Sequence, residues 1–369
     1  MGCSKELYYT NYTIYFYVKI FWKKVLFMKN HIAVVREPYK VCIEERELRE
    51  MGDDEAIVEV KSSSICGSDL HIFKGKHPAV KLPVTIGHEF SGVIVKTGKN
   101  SCGFKAGDRV VLEPIINCGK CAACKSGNYG LCENASFSYR VGDGAMADYV
   151  VCKTAHLFKL DDSMSFDVGA LIEPLSVANR AVKRSGAGPD NSVIIFGAGP
   201  IGLFITAILS HKGVKNITVV DFSVKRLEAA AMLGALHTIN PSESDLQKTI
   251  AENAPKGFDA AFEVAGREVT FNNAIKSLKV DGTLVQVGIY EDPNITFDAS
   301  VLINKQIKII GTQGYNNDFE EVIGIASKLN LERLITHVYP LERLQEALEC
   351  NLNSTKTNAI KVLIHPGED

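Results

Sequence analysis

The sequence predicts an α/β protein in which a doubly wound parallel sheet is joined to a mostly antiparallel, barrel-like β domain. Three observations predict this fold class. From Ser192 to residue 310, short apolar runs alternate with helical segments, which is typical of βαβ units and a parallel sheet. Before residue 160, runs rich in β-branched residues are separated by glycines, as in antiparallel strands and turns. Four of the ten cysteines fall between positions 118 and 132, which predicts a metal-binding lobe.

Length and charge restrict the class of protein. Single hydrophobic cores rarely exceed about 250–300 residues, so a chain of 369 residues is expected to form two domains. The 41 basic and 43 acidic residues nearly cancel, and the net charge is −2. We therefore expect no nucleic-acid partner, because such partners attract strongly basic surfaces.

The first 27 residues differ from the rest of the chain. They are rich in Tyr, Phe and Ile and contain the only tryptophan, Trp22. A membrane span needs about 20 mostly apolar residues. The uncharged run here covers only residues 7–18, and we expect neither a membrane segment nor a secretory signal. We interpret residues 1–27 as a start-site artefact, with translation beginning at Met28. The alternative is an aromatic segment that binds a surface.

The elements of the β domain follow in order. Strands are predicted at HIAVVREPYKVCIEERE, EAIVEVKSSSICG, FSGVIVKTG, GDRVVLEPI, ADYVVC and HLFKL. The segment ALIEPLSVANRAVKR has apolar residues at helical spacing and is predicted as the first long helix. After Gly311 the pattern gives two helices, DFEEVIGIASKL and LERLQEALE, and a closing strand, AIKVLIH.

The alternating region carries a nucleotide motif. The predicted strand SVIIF is followed by GAGPIG (residues 197–202) and a helix, and the next strand, NITVVD, ends at Asp221. Later strands are predicted at TIN, FDAAFEVAG, TLVQVGIY and IKIIGTQG. A G-x-G-x-x-G motif alone is weak evidence. Between a strand and a helix, with an acid nineteen residues further on, it forms the full dinucleotide fingerprint. A carboxylate at 221 would bind the ribose 2′-OH and repel a 2′-phosphate, so we predict NAD rather than NADP.

Two groups of residues are of metal-binding types. The stretch 66–89 offers Cys66, His71, His88 and Glu89, and catalytic zinc sites combine such ligands with one open position. The second group can close a tetrahedral shell around a structural zinc, and it comprises Cys118, Cys121, Cys124 and Cys132. Disulfides and an iron–sulfur cluster are the alternatives. The nucleotide domain predicts a reducing, cytoplasmic location, and the cysteine spacing departs from the ferredoxin pattern.

These motifs resemble those of the zinc-dependent medium-chain alcohol and polyol dehydrogenases. The resemblance covers residues 28–366 and rests on ICGSDLH, GHEFSG, GDRV, the four-cysteine lobe, EPLSV, GAGPIG and VVD in this order. It implies a catalytic zinc domain over residues 28–178 and 311–369 and an NAD-binding Rossmann domain over residues 179–310. EPLSV resembles the sorbitol, butanediol and threonine dehydrogenase branch, and GTQGYNNDF resembles 2,3-butanediol dehydrogenases.

The resemblance also implies roles for individual residues. Cys66, His88 and Glu89 match catalytic zinc ligands, and Glu173 matches a fourth position that binds zinc directly or through water. Ser68 and His71 match residues of a proton relay. The predicted catalytic residues are Ser68, His71 and Glu89. Asp69 matches an acid that orients the zinc-binding histidine. The predicted cofactor-binding residues are Gly197, Gly199, Pro200, Ile201, Gly202, Asp221 and Arg226. The short polar segment between Cys132 and Tyr149 leaves the substrate-pocket wall unassigned.

The resemblance implies an enzyme with two zinc ions per subunit that passes hydride from a secondary alcohol, such as a small vicinal diol or polyol, to NAD. An L-threonine 3-dehydrogenase is the alternative within the enzyme class. A catalytically silent zinc- and nucleotide-binding protein is the alternative from another class. By analogy we expect a homodimer or homotetramer that associates through the edge near residues 290–305.

Overall fold

The computed structural model describes residues 29–77 and 79–367, so the predicted start-site artefact, residues 1–27, lies outside the described residues. The predicted β domain begins with short strands. They are β1 (Lys29–Glu37), β2 (Lys40–Glu47), β3 (Glu55–Ser64), β4 (Val84–Thr85), β5 (Glu89–Thr97), β6 (Arg109–Leu112), β7 (Ile115–Ile116), β8 (Ser136–Phe137), β9 (Tyr149–Lys153) and β10 (Leu157–Lys159). The helices among and after them are α1 (Gly67–Phe73), α2 (Ala122–Lys125), α3 (Ser138–Val141), α4 (Phe166–Ala170) and α5 (Ile172–Ser185).

The alternating region forms a six-stranded parallel sheet. Its strands are β11 (Ser192–Phe196), β12 (Asn216–Val220), β13 (His237–Ile239), β14 (Phe258–Glu263), β15 (Leu278–Gln286) and β16 (Lys308–Gly311). The helices between them are α6 (Pro200–His211), α7 (Val224–Met232), α8 (Leu246–Asn253), α9 (Glu268–Ser277) and α10 (Ser300–Lys305). The strand order is β13-β12-β11-β14-β15-β16, so the direction of winding reverses between β11 and β14. This topology is the doubly wound sheet that the alternation predicts.

Both faces of this sheet are covered, and β11 shows how. Val193 and Ile195 pack into a core with residues of α6, whereas Ile194 and Phe196 pack into a second core with residues of α9. Successive side chains of a strand point to opposite faces. A strand buried on both faces reads as a continuous apolar run, which is why SVIIF lacks polar alternation.

After the parallel sheet the chain returns to the β domain. This last part contains α11 (Phe319–Ala326), β17 (Ile335–Pro340), α12 (Leu344–Leu352), α13 (Ser354–Thr357) and β18 (Lys361–His365). Strand β18 pairs antiparallel with β3 and parallel with β17. The sheet that contains them has the order β10-β6-β5-β3-β18-β17, and β9 joins it by pairing with β3. Strands from before and after the parallel sheet in sequence therefore build one sheet.

The β domain is built of mostly antiparallel sheets, as expected. These sheets are open, because the pairings of the described strands do not close into a ring. Smaller sheets of order β2-β1-β4 and β7-β8 complete the β domain. The predicted domain boundaries near residues 178 and 311 stay predictions. No helix in residues 29–77 and 79–367 has the length and apolar character needed to span a bilayer.

Candidate active site

Cys66, His88 and Glu89 come together where β3 ends and β5 begins. Cys66 follows β3 and immediately precedes α1, while Glu89 is the first residue of β5. Ser64, the last residue of β3, pairs in register with Glu89, so the antiparallel ladder fixes the separation of the two segments. One ligand atom from each of the three residues lies within 4.8 Å of the other two. The structure thus places these predicted zinc ligands in one site.

The chemistry of this donor set fits a cation. Burial, reinforced by the charge of Glu89, raises the pKa of the Cys66 thiol. Burial works to lower the pKa of His88, but Cys66 and Asp69 outweigh it and raise that pKa well above its usual value. A divalent metal would replace the protons for which these buried groups compete, because thiolate, imidazole and carboxylate ligands bind metal in their deprotonated forms.

Asp69 holds the backbone on both sides of the cluster. Its Oδ2 accepts a hydrogen bond from the Cys66 amide at 2.9 Å, and its Oδ1 accepts one from the Gly87 amide at 3.2 Å. Oδ1 also lies 3.8 Å from Nδ1 of His88, a buried nitrogen without a hydrogen-bond partner in the described part of the chain. Asp69 therefore lies beside the imidazole, and its hydrogen bonds orient the ligand segments through their backbone.

Glu173 lies at the edge of the cluster, in the first turn of α5. Its side chain is buried, and burial raises the pKa of its carboxyl to about 7, with the charge of His88 opposing that shift. Electrostatic interactions link Glu173 to His88 and Glu89, but its carboxylate is not in the group of atoms within 4.8 Å of one another. A role as fourth ligand, direct or through water, stays a prediction.

The predicted proton relay lies on the short helix α1. Ser68 and His71 are both half-buried and follow Cys66 by two and five residues. Within residues 29–77 and 79–367, neither side chain makes a hydrogen bond to the cluster. Their roles as relay residues stay predictions.

Sequence reasoning missed Lys361, which lies on β18 and is 2% exposed. Its Nζ lies 2.5 Å from Oε2 of Glu89 and donates to the Ile65 carbonyl at 3.2 Å. Ser64 donates to the same Glu89 oxygen. Two donors therefore hold one oxygen of this carboxylate, and the other oxygen remains for a metal. The segment AIKVLIH contained a signal for this contact. A lysine inside an otherwise apolar strand is expected to be buried, and a buried lysine needs an acidic partner.

The segment left unassigned by sequence reasoning supplies an aromatic wall. The rings of Phe137 and Tyr139 have their centroids 5.9 Å and 5.6 Å from the imidazole of His88. Burial raises the pKa of Tyr139 to about 12, so its hydroxyl stays protonated at neutral pH. The wall of the site next to His88 is therefore apolar except for this phenol.

The four-cysteine lobe gathers its sulfurs as the spacing predicts. One atom from each of Cys118, Cys121, Cys124 and Cys132 lies within 4.8 Å of the others. Backbone amides of Cys118 and Asn134 donate to the Cys132 sulfur at 3.3 Å and 3.4 Å. Hydrogen bonds from the amides of Lys120 and Cys121 lower the pKa of Cys118 to about 6. The nine cysteines of the described residues are all free, so the four sulfurs of this lobe are available to a metal.

The glycine motif joins β11 to α6. A Cβ at Gly202 would lie 2.0 Å from the Gly197 carbonyl oxygen, so only glycine permits this contact between turn and helix. Pro200 and Ile201 open α6, with Pro200 in its first turn. Asp221 follows β12, and its Oδ2 accepts a hydrogen bond from the Ala198 amide at 2.7 Å. The predicted ribose-binding acid therefore adjoins the glycine turn.

Arg226, the remaining predicted cofactor residue, contacts a different part of the chain. Its guanidinium donates to the Ser354 hydroxyl at 3.0 Å and to the Ala359 carbonyl at 3.3 Å. These bonds connect α7 of the parallel-sheet region to the segment that leads into β18. A role of Arg226 in cofactor binding stays a prediction.

Comparisons with known proteins agree with this geometry. Residues 52–162 match the model of the alcohol dehydrogenase GroES-like domain, and residues 200–328 match that of the zinc-binding dehydrogenases. The chain is 34% identical over 343 residues to a sorbitol dehydrogenase of Bacillus subtilis, covering 90% of this chain and 96% of that one. It is 34% identical over 334 residues to D-xylulose reductase A of Aspergillus niger, and the match covers 87% of this chain and 93% of that one.

A solved structure gives the same result. The 2R,3R-butanediol dehydrogenase of Bacillus subtilis superposes with a TM-score of 0.84 at 32% identity, covering 92% of this chain and 100% of that one. Similarity thus extends over both parts of the fold, over the candidate metal residues and over the glycine motif. The chain belongs to the zinc-dependent medium-chain alcohol and polyol dehydrogenases.

Proposed function

We propose that this protein is a zinc-dependent oxidoreductase that transfers hydride between NAD and a secondary alcohol, and that its substrate is a small vicinal diol or polyol. The observation that carries the proposal is the buried cluster of Cys66, His88 and Glu89 in a chain that also holds the dinucleotide motif at the switch point of its parallel sheet. Sorbitol, xylulose and butanediol occur in the names of the similar proteins, which favours polyols and diols over threonine.

The residues divide the work as follows. Zinc bound by Cys66, His88 and Glu89 would act as a Lewis acid toward the alcohol oxygen. Ser68 accepts the hydroxyl proton and His71 passes it to solvent. NAD held at the glycine motif would supply the hydride acceptor, so that the two-electron oxidation of the alcohol to a ketone would be balanced by reduction of the cofactor.

The substrate class follows from the donor set. Glu173, at the edge of the cluster, adds a second carboxylate beside Glu89, so the site is rich in oxygen and favours oxygen ligands. A second hydroxyl on the substrate can therefore be accommodated near the cluster. A site that hydrogen-bonds a substrate hydroxyl rejects analogues lacking that hydroxyl by orders of magnitude.

A screen of alcohols with NAD, read as absorbance of the reduced cofactor, tests the proposal. We expect kcat/KM for 2,3-butanediol or sorbitol to exceed that for 2-butanol or ethanol at least a hundredfold, and NADP to be a poor acceptor because of Asp221. Threonine as the best substrate would select the threonine 3-dehydrogenase alternative. Nucleotide binding without turnover of any alcohol would select the silent protein, and equal rates with NAD and NADP would contradict the role of Asp221.

Assembly and location complete the proposal. Residues 290–305, where an edge strand was expected to form the contact, contain α10 and no strand, and the edge strand of the sheet is β16. We propose a homodimer or homotetramer formed through β16, beside which Ile303 is 79% exposed and Ile309 is also exposed. We propose a cytoplasmic location. The unpaired cysteines of the described residues support it, because disulfides are rare in reducing compartments.

A further inference from the structure

A fully buried carboxylate ends strand β14. Glu263 is 0% exposed, and the residues 29–77 and 79–367 place no basic group within ion-pair distance of it. Five neutral donors surround it instead. Oε1 accepts hydrogen bonds from the Ala265 amide (3.0 Å), the Gly266 amide (2.9 Å) and the Thr270 hydroxyl (2.7 Å), and Oε2 accepts from Gln286 Nε2 (2.7 Å) and the Tyr290 hydroxyl (3.3 Å). Burying a charge is costly unless such donors compensate it.

The two oxygens hold two different segments together. Oε1 binds the turn that follows β14, and Oε2 binds the segment that follows β15. The backbones of these segments are in direct contact, since a Cβ at Gly288 would lie 2.4 Å from the Gly266 nitrogen and 2.7 Å from Oε2 of Glu263. The Glu263 carboxylate therefore fixes the relative position of residues 264–266 and 286–290.

These segments lie at the switch point of the sheet. The direction of winding of the sheet reverses between β11 and β14. In open α/β sheets, ligands bind at such a point, in the crevice outside the carboxyl ends of the strands. The turn adjoins the glycine motif, because the Val264 amide donates to the Phe196 carbonyl at 3.0 Å. Asp221 lies on the opposite side of β11, at the end of β12. If Asp221 binds the adenosine ribose, the nicotinamide half extends over β14 and β15.

We propose that Glu263 is a positioning residue for the nicotinamide half of the dinucleotide. Its carboxylate holds the backbone of residues 264–266 and 286–290 in the conformation that receives this half beside the glycine motif. The inference rests on the proposed function, and it adds a specific division of labour. Glu263 serves the nicotinamide half, and Asp221 serves the adenosine half.

The test separates the two halves of the cofactor in the full-length, zinc-loaded protein. Glu263→Gln keeps the shape but turns an NH₂ group toward donors of residues 286 and 290. We expect the Kd of NADH, measured by cofactor fluorescence, to rise at least tenfold, and the Kd of AMP, measured by competition or calorimetry, to change less than twofold. The matched control is Glu268→Gln, which removes an exposed carboxylate in the first turn of α9, and it should change neither constant.

Other results would overturn the proposal. If Glu263→Gln weakened the binding of NADH and of AMP equally, Glu263 would stabilise both halves of the cofactor site. If it lowered the melting temperature and left both dissociation constants unchanged, Glu263 would contribute to stability only. If Glu263→Gln does not fold, Thr270→Val and Tyr290→Phe each remove one donor, and each should weaken NADH twofold to fivefold without affecting AMP. Unchanged NADH binding in both would also overturn the proposal. A wild-type protein that binds no NADH would instead refute the proposed function.

Discussion

At the scale of single residues, the buried ion pair of Glu89 and Lys361 governs the charge of the candidate metal site. Both side chains are almost fully buried, and their charged atoms lie 2.5 Å apart. Glu173 lies at the edge of the cluster, and the charge of Lys361 also favours the ionised form of this carboxyl. Replacing both members of a buried pair is often tolerated, whereas removing one member leaves an uncompensated charge and costs about 3–5 kcal/mol.

We therefore predict that Lys361→Met lowers the free energy of unfolding of the metal-free protein by about 3–5 kcal/mol. The double variant Lys361→Met with Glu89→Gln should recover much of that loss, because no unpaired charge remains. Chemical denaturation of chelator-treated proteins measures this coupling as a double-mutant cycle. Lys356→Met removes an exposed lysine of α13 and should change stability by less than about 0.5 kcal/mol. Equal effects of the two lysine substitutions would contradict the prediction.

The residue scale also shows what sequence could predict about the site. Cys66, His88 and Glu89 lie within 24 residues of one another, so their chemistry is visible in one stretch of sequence. Lys361 lies 272 residues beyond Glu89, and only the pairing of β18 with β3 brings it close. The guanidinium of Arg226, a predicted cofactor residue, contacts Ser354 and Ala359, which lie about 130 residues further along the chain. Local spacing predicts candidate ligands well, but not the contacts made across the fold.

At the scale of elements, the lobe of residues 118–132 has little structure that could support it without metal. It contains α2 and one turn of 3₁₀ helix, and only Cys132 among its residues is buried. Tyr129 anchors it by donating to Glu113 and accepting from the Asn317 amide at 2.9 Å. Burial raises the pKa of Glu113 to about 7, so the charge of this anchor changes around neutral pH. Because so little apolar surface is buried, metal binding is expected to supply the order of the lobe.

We predict that Cys121→Ser reduces the zinc content from two ions per subunit to one and lowers the melting temperature, because the lobe loses a ligand. Elemental analysis and thermal unfolding measure the two effects. Cys102→Ser is the matched control, since Cys102 is an exposed free cysteine outside both clusters, and it should keep both ions. Two tightly held zinc ions in the Cys121 variant would show that the lobe is not a structural zinc site.

The elements themselves were predicted unevenly. The parallel strands were predicted in order, because a strand buried on both faces has a distinct pattern. The helices α8 and α10 were not predicted. The seven-residue helix α1 was not predicted, although it carries Ser68 and His71. It has glycine at its first position and is too short for helical periodicity. The Asp69 carboxylate stabilises its start by accepting from the Cys66 amide at 2.9 Å, a contact that sequence patterns do not reveal.

At the scale of the whole molecule, the two sheet systems leave different edges free. The parallel sheet ends at β16 and the larger sheet of the β domain ends at β17. Ile303, on the helix before β16, is 79% exposed, and Val338 on β17 is 47% exposed. A free edge with exposed apolar residues invites pairing with another chain. The apolar surface next to β16 supports the proposal that β16 forms a subunit contact.

We predict that Ile303→Asp converts the native oligomer to monomers, because a buried contact would have to accommodate a charge. Analytical ultracentrifugation gives the mass directly. Val338→Asp introduces the same charge on β17, a free edge of the larger sheet of the β domain, and should leave the oligomer intact. An unchanged mass for the Ile303 variant, or dissociation of the Val338 variant, would move the contact away from β16.

The pairing of β18 with β3 has a consequence for how the molecule matures. A ribosome extends a chain by about 5–20 residues per second, so Lys361 emerges roughly 15–50 s after Glu89. The strands of the parallel sheet are contiguous in sequence and can pair within this interval. The sheet that holds the candidate metal ligands cannot be completed until its last strand leaves the ribosome. Cys66, His88 and Glu89 can therefore come together on the β3–β5 ladder well before Lys361 arrives to pair with Glu89, so the nascent chain carries this donor set for that interval without its compensating cation.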